Sequence, residues 1–215
     1  MSLIKRVATL STSLLICLIA NQPLLACHLM YSPLVLDLDG NGIPTANVLT
    51  SPVLFDMDGD GIAEPIGWTS AYDHDGFLWL DRNGNGAVDS GRELFGNATR
   101  LSDGLLASNG FVALAEYDAF AMGGNADNEI TSKDAVYDFL RVWTDSNHNG
   151  RLDTGESHSL ADLNIAVISL EYDPSDMVDG CMNQHRFKGR FIERSEKRSR
   201  SRQIHDIYFE TVHVN

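Results

Sequence analysis

The chain has 215 residues, of which 43% are hydrophobic and 21% charged, so it can form a hydrophobic core and is not a disordered tail. Its formal net charge is −14, and the acidic charge is concentrated in residues 33–185, which hold 26 acidic and 6 basic side chains. A region this acidic excludes nucleic acid as its partner and favours metal cations, which would relieve its self-repulsion. Residues 186–202 reverse the balance, with 8 basic and 2 acidic side chains.

The N-terminus has the features of a signal peptide over residues 1–26. A short positive region precedes Val7–Ala20, an apolar segment too short to span a membrane comfortably. The segment Leu24–Cys27 (LLAC) resembles a bacterial lipobox, which predicts lipidation of Cys27 and membrane attachment. The alternatives are an uncleaved anchor and plain secretion, which would free Cys27 to pair with Cys181. We therefore expect an exported protein: an outer-membrane lipoprotein, or a periplasmic or secreted product.

Two similar segments follow, LVLDLDGNGI (Leu34–Ile43) and VLFDMDGDGI (Val53–Ile62). Each begins with a short apolar run, which predicts a strand, and continues with acidic residues that alternate with others. A strand ending in Asp-x-Asp presents the nucleophile of phosphatases of the haloacid dehalogenase type, but the same letters describe a calcium loop. Pro65 and Gly67 stand where the phosphatase needs a helix, so the pattern favours calcium. The candidate ligands are Asp37, Asp39 and Asn41, and Asp56, Asp58 and Asp60.

A third segment, FLWLDRNGNGAVDSGRE (Phe77–Glu93), comes closer to an EF-hand loop. Such a loop binds calcium with side chains at its first, third, fifth, ninth and twelfth places and a carbonyl at its seventh, with glycine at the sixth. Here the closing acid, Glu93, comes one residue late because Arg92 holds the twelfth place. Either the loop bulges or its site is weak. The candidate ligands are Asp81, Asn83, Asn85, the carbonyl of Ala87, Asp89 and Glu93.

Two more loops follow, Gly123–Asp134 and Asp145–Glu156. The first of them has Gly123 at its opening place, so Asp118 from upstream is the alternative ligand there. The second, DSNHNGRLDTGE, fits the EF-hand pattern at every place. The candidate ligands are Asn125, Asp127 and Asp134 in the first, and Asp145, Asn147, Asn149, the carbonyl of Arg151, Asp153 and Glu156 in the second.

Helical spacing begins at Asn109. Phe111, Leu114, Ala115 and Phe120 predict one helix, with Ser108 or Asn109 as its N-cap. A second helix is predicted to open near Thr131 and continue through Ala135, Val136, Phe139, Leu140 and Trp143. Residues 159–164 are predicted to form a short third helix.

The tail returns to strand patterns at Ile165–Tyr172, His185–Ile192 and Ile204–Val212, the last two joined by a basic loop, 193–203. Together the elements predict an α+β fold: calcium-loop β-hairpins, then an EF-hand-like helix-loop-helix unit, then a small antiparallel C-terminal sheet. The predicted division of the chain is a signal peptide (1–26), a calcium-binding EF-hand-like domain (33–172) and a C-terminal β-hairpin extension with the basic loop (173–215).

The segments PLVLDLDGNGI, FDMDGDGIAEPIGW, LDRNGNGAVDSGRELFG and GGNADNEITSKDAVYDFLRVWTDSNHNG, in this order, resemble bacterial secreted calcium-binding proteins with EF-hand-like loops. The arrangement is similar to the self-processing module of iron-regulated RTX proteins, over residues 33–172. In that module, calcium-driven folding triggers cleavage of an Asp-Pro bond at its start. The matching proline here is Pro33, but Ser32 precedes it, and a serine side chain cannot form the anhydride that this cleavage needs.

The expected function is calcium binding by several EF-hand-like loops, with Ca²⁺ stabilising the fold of an exported protein that is not an enzyme. The predicted partners are calcium ions, and the membrane where Cys27 is lipidated. Two alternatives belong to other classes: a calcium-triggered self-processing protease, and an adhesion or interaction module whose basic loop meets an anionic surface.

Overall fold

The computed structural model describes residues 30–71 and 73–212, so the predicted signal peptide and Cys27 lie outside the described residues. These ranges are mostly β-structure, with one large curled antiparallel sheet and a single short α-helix, and 7% of the structure is helical. The predicted α+β fold with an EF-hand helix-loop-helix unit is therefore wrong. Within the same ranges no helix has the length and hydropathy needed to cross a membrane.

The helix α1 spans Gly110–Ala115 and is followed by two 3₁₀ turns, Glu116–Asp118 and Phe120–Met122. The strands are β1 (Leu34–Leu36), β2 (Thr45–Ala46), β3 (Val53–Phe55), β4 (Glu64–Ile66), β5 (Trp68–Thr69), β6 (Gly76–Trp79), β7 (Glu129–Thr131), β8 (Arg141–Trp143), β9 (Ser157–Ser159), β10 (Ile165–Val178), β11 (Gln184–Ser195) and β12 (Arg198–Tyr208).

The large sheet has eight strands in the order β7-β10-β11-β12-β1-β6-β8-β9. Its neighbouring strands are antiparallel throughout. The last strand, β12, lies next to the first, β1, through pairs such as Leu34 with Asp206 and Leu36 with Ile204. The C-terminal strands are thus part of the main sheet and not the small separate sheet that the sequence predicted. The remaining strands form two ribbons, β2–β5 and β3–β4.

Strands β1 and β6 are buried on both faces. Leu34 and Leu36 pack in one hydrophobic core, whereas Val35 between them packs in the other. Leu78 and its neighbour Phe77 are divided between the two cores in the same way. Because successive side chains of a strand point to opposite faces, a strand between two cores requires a continuous apolar run. The LVL and FLW runs in the sequence meet this requirement.

Different elements cover the two faces of the sheet. The helix and the turns after β7 cover one face, with Phe111, Leu114, Val136 and Leu140. The two ribbons cover the other face, with Val53, Phe55, Ile66 and Trp68. The Trp68 ring joins ribbon and sheet, because its centroid lies 4.4 Å from that of Phe77 and 5.6 Å from that of Trp143.

The helix predicted after Ser108 is confirmed, but it is shorter than its apolar pattern. Asn109 is its N-cap, since the side-chain oxygen accepts a hydrogen bond from the Val112 N–H at 2.9 Å. Phe120, which the pattern assigned to the buried face, is 76% exposed in a 3₁₀ turn. The chain leaves the helical path where the carboxylate of Asp118 accepts the N–H groups of Asp127 and Asn128.

The two other predicted helices are wrong. Residues 132–139 form turns, and Trp143 lies in β8. The carboxylate of Asp134 accepts the Thr131 N–H at 2.8 Å, and bonds such as Phe139 N–H to Val136 O replace the helical ladder. Residues 160–164 form a turn between β9 and β10. A series of turns buries side chains three or four residues apart, as a helix does. The spacing of apolar residues alone therefore did not distinguish turns from a helix.

The predicted basic loop 193–203 is also mostly strand. Strand β11 continues to Ser195 and β12 begins at Arg198, and these two residues are paired at the end of the hairpin. The alternation of Arg and Ser in residues 198–202 has a period of two, which is itself a strand signal.

The central position of Trp68 predicts a large effect of its removal. The substitution Trp68→Ala should lower the free energy of unfolding by about 3–5 kcal/mol, because it leaves a cavity between ribbon and sheet. Urea unfolding followed by circular dichroism measures this change. The control Leu54→Ala, in β3 but 63% exposed, should change stability by no more than about 0.5 kcal/mol. Equal losses in the two variants would contradict this assignment.

Candidate metal-binding loops

The five loops share one interaction at their start: a carboxylate accepts N–H groups of the loop that follows. Asp145 accepts from Asn149 at 3.0 Å and Gly150 at 2.8 Å. The Gly150 backbone is left-handed, with φ of 69°, which glycine adopts without strain. Equivalent bonds join Asp37 to Gly40 and Gly42, Asp56 to Gly59 and Gly61, and Asp81 to Gly84 and Gly86.

The fourth loop takes its opening carboxylate from outside the predicted set. Asp118 accepts the N–H groups of Asp127 at 3.2 Å and Asn128 at 2.8 Å, and Asn128 has the left-handed φ of 67° that glycine has elsewhere. Asp118 therefore makes the contacts that a side chain at Gly123 would otherwise make. Asp118 is the alternative residue that the sequence predicted for this opening place. Asn125 and Asp127 lie in this loop and are joined by a 2.7 Å hydrogen bond.

The third and fifth loops are closed by glutamates with matching contacts. Glu156 accepts the N–H groups of Ser146 and Asp153, both at 3.0 Å. Glu93 accepts those of Arg82 at 3.2 Å and Asp89 at 2.9 Å, which are the corresponding second and ninth places. Although Glu93 comes one residue later in its loop, its carboxylate thus makes the same two contacts as that of Glu156. Asp134 closes the fourth loop in a similar way, through Asn125 N–H at 3.2 Å and Thr131 N–H at 2.8 Å.

The asparagines of the third and fifth loops converge on the acid at the ninth place. Asn147 and Asn149 both donate to Asp153, at 2.8 and 2.7 Å, and the hydrogen bond from Asn147 holds the pKa of Asp153 below its usual range. In the third loop, Asn83 and Asn85 donate to Asp89, both at 2.7 Å. The seventh residues, Ala87 and Arg151, donate their N–H groups to Asn85 and Asn149. In both loops the predicted ligands at the third, fifth and ninth places therefore lie together.

At each of the first two loops three carboxylates approach one another. One carboxylate oxygen from each of Asp56, Asp58 and Asp60 lies within 4.8 Å of the others. Burial, then the charges of Asp60 and Asp56, raises the pKa of Asp58, and Glu64 has its pKa raised by burial and by the same three acids. In the first loop the group is Asp37, Asp39 and Asp75. Asn41 donates to Asp39 at 2.7 Å.

Asp75 is a residue that sequence reasoning missed, because it lies outside all five loops. It directly precedes β6, whose Gly76 pairs with Leu36 in β1, so Asp75 stands opposite Asp37. Its side chain is buried, and burial raises its pKa to about 8, with further increases from Asp73, Asp37 and Asp39. Such a group favours the neutral form unless a cation lies beside it.

The donor atoms of these loops fit calcium. They are carboxylate and amide oxygens, the ligands that a hard dication prefers, and the two three-carboxylate groups contain neither histidine nor cysteine. The buried Asp75 Oδ2 has no hydrogen-bond partner among the described residues, which is unusual for a buried oxygen and fits a bound cation.

The residue before Pro33 lies in a buried position near the start of the sheet. Ser32 is buried and donates its N–H to Asn97 at 2.8 Å. Its hydroxyl lies beside the carboxyl of Asp206, which accepts the Gly110 N–H at 2.9 Å and whose pKa burial raises to about 7. The bond between Ser32 and Pro33 is therefore held inside the fold.

These features define a class of protein: an antiparallel β-sheet protein with acidic loops, most of which begin just beyond the ends of its strands. The family model of the SPM domain matches residues 34–210, so the chain belongs to the SPM domain family. The chain is also 44% identical over 144 residues to the iron-regulated protein FrpA of Neisseria meningitidis serogroup C. That match covers 66% of this chain but only 12% of FrpA. The predicted relation to iron-regulated RTX proteins is confirmed to this extent.

Proposed function

We propose that this protein binds calcium ions in its acidic loops, that the ions stabilise its fold, and that its function is RTX-related, as its similarity to FrpA suggests. The observation that carries the proposal is the shared loop geometry. In each of the five loops one carboxylate accepts the N–H groups of the turn, and further oxygen ligands follow it. Repetition of one arrangement at five places is not expected of a merely solvated acidic surface.

The coupling of binding to folding follows from where the loops begin. Asp37 and Asp56 directly follow β1 and β3, and Asp81 and Asp145 stand two residues beyond β6 and β8. Without cations, the folded state holds the carboxylates within each of the first two loop groups close together, and their repulsion opposes folding. A cation that binds the folded loops and not the unfolded chain adds its binding free energy to stability.

Calcium should raise the melting temperature of the mature chain, and a chelator should lower it again. Magnesium should be a poor substitute, because it needs a smaller octahedral shell and gives up its waters reluctantly. Differential scanning calorimetry with and without millimolar calcium measures the shift, and isothermal titration counts the ions. An unchanged melting temperature with no binding heat would refute the proposal.

The fifth loop should be the strongest site, since it has a ligand at every place. Glu156→Gln removes one charge and one carboxylate oxygen, so it should weaken calcium binding at this loop by about ten-fold or more. Isothermal titration measures the loss. Glu171→Gln makes the same chemical change on the exposed part of β10, outside the loops, and should titrate like the parent. If both variants bind as the parent does, Asp145–Glu156 is not the leading site.

We also propose export with lipidation at Cys27 and no self-cleavage before Pro33, since Ser32 has no carboxyl group. Intact mass spectrometry of the mature protein tests both. The expected species begins at Cys27 with the added mass of lipid, and its mass does not change when calcium is added. An unmodified N-terminus that forms a disulfide with Cys181, which is a free thiol within the described ranges, would end the lipoprotein proposal. A product beginning at Pro33 would establish self-processing.

A further inference from the structure

We infer that Asp75 is the closing metal ligand of the first loop. Residues 37–41 and Asp75, just before β6, then form one site for a hard divalent cation, and the expected ion is calcium. The inference rests on the proposed calcium binding and adds a ligand from outside the loop. The twelfth place of this loop, counted from Asp37, is Val48, a buried apolar residue with no oxygen in its side chain. The loop therefore lacks a closing acid of its own.

Asp75 makes the contact that the closing acids make elsewhere. Its Oδ1 accepts the N–H of Leu38, the second residue of the loop, at 3.2 Å. Glu93 and Glu156 accept the N–H at this same second place, from Arg82 and Ser146. Their exposed fractions are also alike, at 1% for Asp75, 4% for Glu93 and 6% for Glu156. By contact and by burial, Asp75 belongs with the closing acids.

The difference lies in its second oxygen. Glu93 and Glu156 each use that oxygen to accept an N–H from the ninth place of the loop. In the first loop the ninth place is Thr45, which belongs to strand β2 and pairs with Thr69. Asp75 Oδ2 is accordingly buried with no hydrogen-bond partner among the described residues. A buried carboxylate oxygen without a partner is costly, and a bound cation removes that cost.

The other acids of this group have their oxygens engaged by the loop itself. Asp37 accepts the N–H groups of Gly40 and Gly42, and Asp39 accepts the N–H and side-chain amide of Asn41. An arginine does lie against the loop, since the guanidinium group of Arg202 leaves no room for a side chain at Gly40. Arg202, however, forms its ion pair with Glu193, at 2.8 Å. Among the described residues no basic side chain forms an ion pair with any of the three carboxylates, so they remain available to a cation from solution.

The test compares Asp75→Asn with Asp73→Asn, which removes the same charge two residues away and lies outside the three-carboxylate group. Native mass spectrometry at limiting free calcium should count one ion fewer in Asp75→Asn than in the parent, whereas Asp73→Asn should keep the parent's count. Without calcium, at neutral pH, Asp75→Asn should melt at a higher temperature than the parent, because the amide is already neutral, whereas the buried carboxyl group must take up a proton to become neutral. With calcium the order should reverse. An acid with a purely structural role would destabilise the fold under both conditions.

A measurement on the parent chain needs no substitution and so stands even where Asp75→Asn does not fold. The carboxyl ¹³C signal of Asp75 should move during a calcium titration with the same midpoint as that of Asp37, while the signal of buried Asp206 should not follow that midpoint. If the parent binds calcium but Asp75→Asn keeps its full count, or the Asp75 signal stays fixed, this inference fails and the proposed function stands. If the parent binds no calcium, both fail.

Discussion

A carboxylate that accepts the N–H groups of the loop it begins is the interaction on which the rest of this structure depends. At the end of a strand the backbone loses its ladder partners, and the N–H groups of a tight turn need new acceptors. Asp37, Asp56, Asp81 and Asp145 supply them beyond four strands, and Asp118 does so at the end of a 3₁₀ turn. The same bonds orient the carboxylates toward one another, so the geometry that satisfies the backbone also concentrates negative charge.

The closing acids connect this charge to the interior. Glu93, Asp134 and Glu156 are buried, and Trp143 of the sheet donates its indole N–H to Glu156 at 3.3 Å. Trp143 also contacts Trp68 and Phe77 in the aromatic core. The fifth loop and the aromatic core are therefore connected through Trp143. This connection supports the proposed coupling of cation binding to folding.

The order of strands makes the fold dependent on contacts between distant parts of the chain. Strand β1 lies between β12 and β6, so one of its edges stays uncovered until the C-terminal hairpin has docked. Pairing across so long a separation carries a loop-closure cost before it contributes stability. The family match across residues 34–210 is consistent with this, because the sheet needs strands from both ends of that range.

The sequence alone determined the elements whose partners are close along the chain. The sequence was enough to predict the apolar runs in β1, β3 and β6, the turns that follow them and the N-cap Asn109. These features depend on strand periodicity, glycine conformation and helix capping, which are local effects. The helix predicted near Thr131 was wrong because turns and helices bury residues at similar spacings, and local spacing does not decide between them.

Only the tertiary structure decided which acids meet. Asp75 stands opposite Asp37 because of the register of β6 against β1, and a shift of one residue would have turned it to the other face of the sheet. Asp118 reaches the fourth loop because the helix ends early and returns the chain to it. The large sheet also pairs its first strand, β1, with its last, β12, and no local sequence pattern indicates this pairing. Register and strand order depend on the simultaneous packing of both cores, and that packing is a property of the whole chain.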